Sequence, residues 1–204
     1  MNKSCCSVLY IAFGFLTFLL PTGGYAQQNI ADNIYHHYIE QNRPTGFIIL
    51  SNLELSEALL KEIEMDYQQT TDKTSQYYYE YLLAKRTQES RYINRFIQHS
   101  NTNISELVQN NSLWVSVTNP FYALLSVYAM TDAEALKVLF KLSQLLDGSA
   151  LSGLYENLSE IQMTNPDLFN RVRKTHQLPL DYWRYFKDLT ESTKNADTNQ
   201  IYKK

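Results

Sequence analysis

Cysteine is all but missing from this sequence: only Cys5 and Cys6 occur, both at the extreme N-terminus. From residue 7 onward there is no disulfide, no thiolate nucleophile and no cysteine-held metal, and C-x-x-C redox chemistry is excluded. Glycine and proline are also scarce, at 6 and 5 of 204 residues. Neither a glycine-rich phosphate loop nor G-x-S-x-G or S-x-x-K is present, so the common nucleotide and serine-hydrolase signatures are absent. No H-E-x-x-H pair occurs. Charge of one sign is lacking as well: 18 basic and 21 acidic residues leave a formal net charge of -3. That mildly acidic balance argues against a nucleic-acid footprint across the domain. The basic group Arg171, Arg173 and Lys174 reads as helix surface.

What is present begins with an export signal. Lys3 and the free amine are followed by an apolar run from Val8 to Leu20, Pro21 ends it, and small residues stand at Gly24 and Ala26. This three-part layout is that of a secretory signal peptide, with cleavage expected after Ala26. The run falls short of the roughly 20 apolar residues of a spanning helix, and no later stretch reaches that length. A retained N-terminal anchor is the alternative. Cys5 and Cys6 precede the apolar run, whereas a bacterial lipoprotein cysteine would follow it. Removing residues 1–26 takes away Lys3 and no acid. The remainder, residues 27–204, is long enough to bury its own core without disulfides. The protein is therefore expected to be exported, to the periplasm or outside the cell, with no stable transmembrane span after cleavage.

Residues 27–189 read as a single all-α domain. Ile30, Ile34 and Tyr38 recur at helical spacing, and Pro44 and Gly46 read as stop signals. Residues 47–50 (F-I-I-L) suit either a buried strand or a helix; helix is preferred because no partner strand is evident. Ser51 with Glu54 fits a capping box, ahead of a face carrying Leu55, Leu59, Ile63 and Tyr67. A long helical pattern from Ser75 to His99 has a polar middle where a break is expected. Residues 113–118, with Trp114, Val115 and Val117, are ambiguous between strand and helix. Asn119-Pro120 and Asn165-Pro166 each place a cap before a first-turn proline. Thr131 with Glu134 forms another capping box, opening a helix with Leu136, Leu139, Leu142 and Leu146, and Gly148 is the expected stop. Asp181 can cap a last helix, in which Trp183 and Phe186 are expected to pack inward. Residues 190–204 are polar and expected to be disordered. Seven or eight short to medium helices joined by short links imply antiparallel hairpins, arranged as a compact bundle or a short α-solenoid-like stack.

Three constellations could carry chemistry. Asp32, His36 and Glu40 fall at four-residue spacing, so a regular helix would put them on one face. Such a stripe could poise an imidazole as a base, and His36, His37 and Glu40 could ligate zinc. The plainer reading is solvent-facing helix with a local ion pair. Glu54, Glu57, Glu62, Glu64 and Asp66 form an acidic segment that lacks the glycine-centred pattern of a calcium loop and reads as wet surface. Tyrosine is abundant, with 16 residues, and Tyr77, Tyr78, Tyr79 and Tyr81 cluster. Consecutive tyrosines cannot all face one core, so Tyr77 and Tyr79 are the candidate binding residues. Beyond residue 26, three N-x-S/T sequons begin at Asn103, Asn110 and Asn157.

These features point to an exported helical module that binds a protein or peptide partner, with no cofactor implied. The other class compatible with them is a hydrolase of envelope or extracellular polymer, using carboxylates or the histidine stripe. The missing catalytic signatures favour the first. Export makes a direct prediction: N-terminal sequencing of the protein from its host should read from Gln27 or within about two residues of it. Recovery of intact Met1 in membranes would establish the anchor instead.

Overall fold

The computed structural model describes residues 24–41, 43–104 and 119–189, and all regular structure among them is helical. Residues 1–23 of the expected leader 1–26, the ambiguous residues 113–118 and the tail 190–204 lie outside the described residues. Contacts divide the chain into two units, one ending at Glu62 and the other beginning at Ile63.

In the first unit, α1 (Gly24–Asn33) runs into a π-helical turn (Ile34–Tyr38) and a last α-helical turn (Ile39–Gln41). The Ile39 N–H donates to the Ile34 carbonyl, five residues back. In α2 (Arg43–Leu50), Pro44 occupies the first turn, where its missing N–H leaves no bond unmade. Gly46 is not a stop but a close approach: a Cβ there would sit 2.7 Å from Ile39 Cγ1. Residues 47–50 are helical, as preferred from the sequence, with Phe47 and Leu50 fully buried. The capping expectation at Ser51 needs correction. Its hydroxyl donates back to the Ile48 carbonyl (2.8 Å), closing α2, while Ser56 Oγ accepts from the Leu59 N–H (3.1 Å) at the start of α3 (Glu57–Gln69).

The second unit takes up the rest of α3 and continues with α4 (Lys73–Thr87) and α5 (Ser90–Thr102). The expected break falls between these two helices. Gln88 adopts a left-handed φ of 56°, and its N–H reaches the Ala84 carbonyl. Next come α6 (Asn119–Ala129) and α7 (Ala133–Leu142). Here the cap is Asp132 rather than Thr131: its carboxylate accepts from the Glu134 and Ala135 N–H groups at 2.7 and 2.9 Å. Thr131 is instead held in the preceding turn, its N–H on the Tyr128 carbonyl. Gly148, expected to stop α7, lies beyond the turn that ends it and opens α8 (Gly148–Thr164) at φ +55°. Asn165 caps α9 (Pro166–Arg173) as expected and also donates to the Met130 carbonyl. Residues 180–189 form α10.

The centre of this unit is α7, which packs on α5, α6 and α9, while α8 packs on α6 and α9. Such cross-packing makes a bundle rather than a linear stack. Ala135, Leu136, Val138, Leu139 and Phe140 are each 0% exposed. A helix apolar around most of its circumference has only the interior to occupy. In α10 the fully buried ring is Tyr182, whose hydroxyl donates to Gln162 Oε1 (2.7 Å). Trp183 and Phe186, expected inside, are half-buried; Trp183 lies under the Arg173 guanidinium. The helical period places one ring inward, and a tyrosine fits because a carboxamide receives its hydroxyl. No helix among the described residues is long and apolar enough to cross a membrane.

Leu139 is fully buried, whereas Tyr79 is only half-buried. Leu139→Ala should therefore cost about 2–5 kcal/mol in denaturant unfolding. Tyr79→Ala should cost about 1 kcal/mol. Equal losses would contradict this assignment of faces.

Candidate functional site

The residues singled out around His36 are not gathered. His36, His37 and Glu40 are exposed and Asp32 is half-buried. His36 instead lies 3.6 Å from Glu62 Oε1. The π-helical turn explains this. Four-residue spacing repeats a face at α-helical pitch, but an i→i+5 turn carries more residues per revolution and rotates the following side chains away. Among the described residues no group of three or more His, Cys, Asp or Glu side chains could hold a metal ion. A shallow depression of about 390 Å³ lies beside this turn, lined by Ile30, Ile34, His37, Tyr38 and Ile49 among others.

The tyrosine cluster resolves into different roles. Tyr77 is core: it is 5% exposed, its ring stacks on Phe96 at 5.4 Å, and its hydroxyl is 2.7 Å from Ser100 Oγ. Burial pushes its pKa well above the ordinary tyrosine range. Tyr77 is thus not an exposed anchor. It lies on the α4 stripe shared by Tyr81 and Ala84, which faces α5 and α6 through Phe96 and Phe121. Tyr79 is half-buried, its ring 6.3 Å from that of Tyr67.

The most organised polar constellation was not apparent from the sequence. Glu80, on the α4 face turned toward α5, is 6% exposed. Its Oε1 accepts from the Tyr67 hydroxyl (3.0 Å), and its Oε2 lies 2.9 Å from His99 Nδ1. Arg95 Nη1 in turn donates to the Tyr67 oxygen (2.8 Å). An ionised carboxylate can only accept, so the Glu80–His99 bond places the imidazole hydrogen on Nδ1. Both carboxylate oxygens are thereby satisfied, as burial of a charge requires. Burial raises the Tyr67 pKa; the Arg95 hydrogen bond opposes that rise and the Glu80 charge adds to it.

A groove of about 420 Å³ opens above this network, between α4 and α5. From α4 it is lined by Lys73, Gln76 and Glu80, spaced three and four residues apart. From α5 and its C-terminal cap it takes Arg95, Gln98, His99, Thr102 and Asn103, which hold the same helical spacing over two turns. Next to it, Arg91 is paired with Glu64 and Glu89, and Glu64 also accepts from the Tyr92 hydroxyl (2.9 Å). The Glu80–His99 pair is a carboxylate oriented on an imidazole, the arrangement that poises a base in hydrolytic sites. The neighbouring hydroxyl, Ser100 Oγ, is no nucleophile: it is fully buried, hydrogen-bonded to Tyr77 and donating to the Phe96 carbonyl. The signal available in the sequence was Glu80 itself, a lone acid within Y-Y-Y-E-Y-L-L, where a helix has almost no wet face to offer.

No protein-family model matches the chain, and no characterised protein or solved structure resembles it significantly. The functional reading therefore rests on the residues.

The aromatic core gives a testable alkaline limit. Burial, with the Glu64 carboxylate adding, pushes Tyr92 up to about 12, and burial pushes Tyr128 up to about 12. In the unfolded chain tyrosine ionises near about 10. Between those values the folded state holds protons that the unfolded state releases, so stability falls as pH rises from about 10 toward 12. Denaturant midpoints should be level up to about pH 9.5 and decline above it. Phenolate absorbance of these rings should appear together with loss of helical circular dichroism. Full tyrosine ionisation near pH 10 with helix intact would contradict their burial.

Proposed function

We propose that this chain is an exported helical module that binds a segment of a protein partner in the α4–α5 groove. The observation that carries this reading is the order of the groove floor. Arg95, Tyr67, Glu80 and His99 are joined by hydrogen bonds of 2.8–3.0 Å across three helices. Side chains fixed in advance lose less entropy when a ligand arrives, so a preorganised polar floor favours binding. The groove is also open and lined by carboxamides and a hydroxyl, groups that pair with extended peptide backbone. Export, periplasmic or extracellular, rests on the N-terminal pattern and is part of the same proposal.

The alternative, hydrolysis of an envelope or extracellular polymer, draws support from the Glu80–His99 pair alone. It is less favoured because the rest of the groove lining consists of cations, carboxamides and a hydroxyl, with no second carboxylate to divide acid and base roles.

Photo-crosslinking in the host tests the binding reading. A photoreactive residue at exposed Gln98 should give a discrete protein adduct, while one at exposed Val127, on α6, should not. Equal labelling from both positions, or none from Gln98, would count against the groove.

A further inference from the structure

The charge a ligand would meet in this groove differs in sign from that of the chain. The chain carries a net -3. Yet the acid lining the groove, Glu80, has a side chain only 7% exposed and both oxygens engaged, by Tyr67 and His99. Arg95 is exposed, and its one side-chain hydrogen bond runs to a neutral hydroxyl. Lys73 is exposed and has no ion-pair partner among the described residues. By contrast, nearby Arg91 is already held by two glutamates. The groove therefore offers two cations that no acid among the described residues meets in an ion pair, Glu80 acting on Arg95 only through space.

These cations sit apart. Arg95 opens the α5 row, which ends at Asn103 eight positions later, a rise of roughly 12 Å at α-helical pitch. In the antiparallel hairpin the start of α4 meets the end of α5, so Lys73 belongs to the Asn103 end. A track of that length matches about three to four residues of extended chain. A compact anion would engage one end only, whereas a peptide with two acids can engage both.

We propose that the groove binds an extended acidic segment of a protein, one carboxylate on Arg95 and another, about four residues further along and so on the same face of the extended chain, on Lys73. Gln76, Gln98 and Thr102 then face the intervening backbone. This deepens the proposed binding function and rests on it.

The test uses protein purified from its host and fluorescence anisotropy with a labelled, end-blocked hexapeptide carrying two glutamates four positions apart. Saturable binding that weakens with added salt is expected. Arg95→Gln should weaken it about tenfold, the scale of a lost charge-assisted hydrogen bond. Lys73→Gln should act in the same direction; that side chain is exposed and unpaired, so the fold is not at stake. The diglutamine isostere should bind far more weakly. Inorganic phosphate at equal concentration should not displace the peptide. Equal affinity for the two peptides, affinity unchanged in both variants, or displacement by phosphate would each overturn the proposal. Crosslinking from Gln98 is blind to ligand charge. An adduct there without acidic preference would remove only the ligand class, and loss of the adduct would remove the binding reading itself.

Discussion

A carboxylate placed where a bundle would otherwise be apolar sets the terms for one face of this protein. Glu80 lies between buried Tyr77 and Tyr81 on the stripe α4 turns toward α5. An unpaired charge there would cost several kcal/mol, so its neighbours are constrained to answer it. They come from two helices: Tyr67 from α3, and from α5 both His99 and Arg95, the latter acting through Tyr67. Leucine in place of Glu80 alone would strand the Tyr67 hydroxyl and the His99 imidazole, whereas apolar replacement of a whole buried pair is often neutral or stabilising. The contribution of Glu80 is therefore better understood as geometry. It fixes where an imidazole and a guanidinium stand at the floor of a groove.

Stability comes mainly from elsewhere. The rings of Tyr77, Tyr81, Phe96 and Phe121 meet at centroid distances of 4.3–5.8 Å, and α7 lies buried beside them. This division leaves the outer rows of α4 and α5 available for polar side chains without weakening the core. The Tyr77–Ser100 bond shows how the two layers meet. A hydroxyl at the core edge is paired with a serine that also back-bonds to Phe96, so no polar atom of this pair is left for solvent or ligand.

Much of the helical layout was legible in sequence because it depends on local signals. The break in the 75–99 pattern, the Asn165 cap and the buried leucines of α7 follow from periodicity and capping chemistry. The errors share a physical origin. Ser51 and Thr131 satisfy a capping pattern, but each is committed to the preceding turn, and the neighbouring Ser56 and Asp132 take the caps. Gly46 resembles a stop until its distance to Ile39 is known. The Asp32–His36–Glu40 stripe assumed α-helical pitch, and a π-helical turn has no plain sequence mark. The Glu80 network was hidden because its members lie 13 to 28 positions apart. Spacing rules see neighbours within two helical turns and no further.

The same geometry accounts for an electropositive groove on an acidic chain. Net charge governs the distant field, but within a Debye length of about 8 Å the arrangement of individual groups decides the potential. Glu64 and Glu89 are spent on Arg91, Glu134 on Lys137, and Glu80 on His99 and Tyr67. Lys73 and Arg95 escape this pairing because the acids beside them are engaged elsewhere, Asp72 in capping α4 through Ser75 and Glu80 on Tyr67 and His99. An acid that faced the groove would neutralise both cations. Burying it in a hydrogen-bonded network keeps it as a structural anchor and leaves its oxygens with no contact to offer a ligand, though its charge still acts on Arg95 through space.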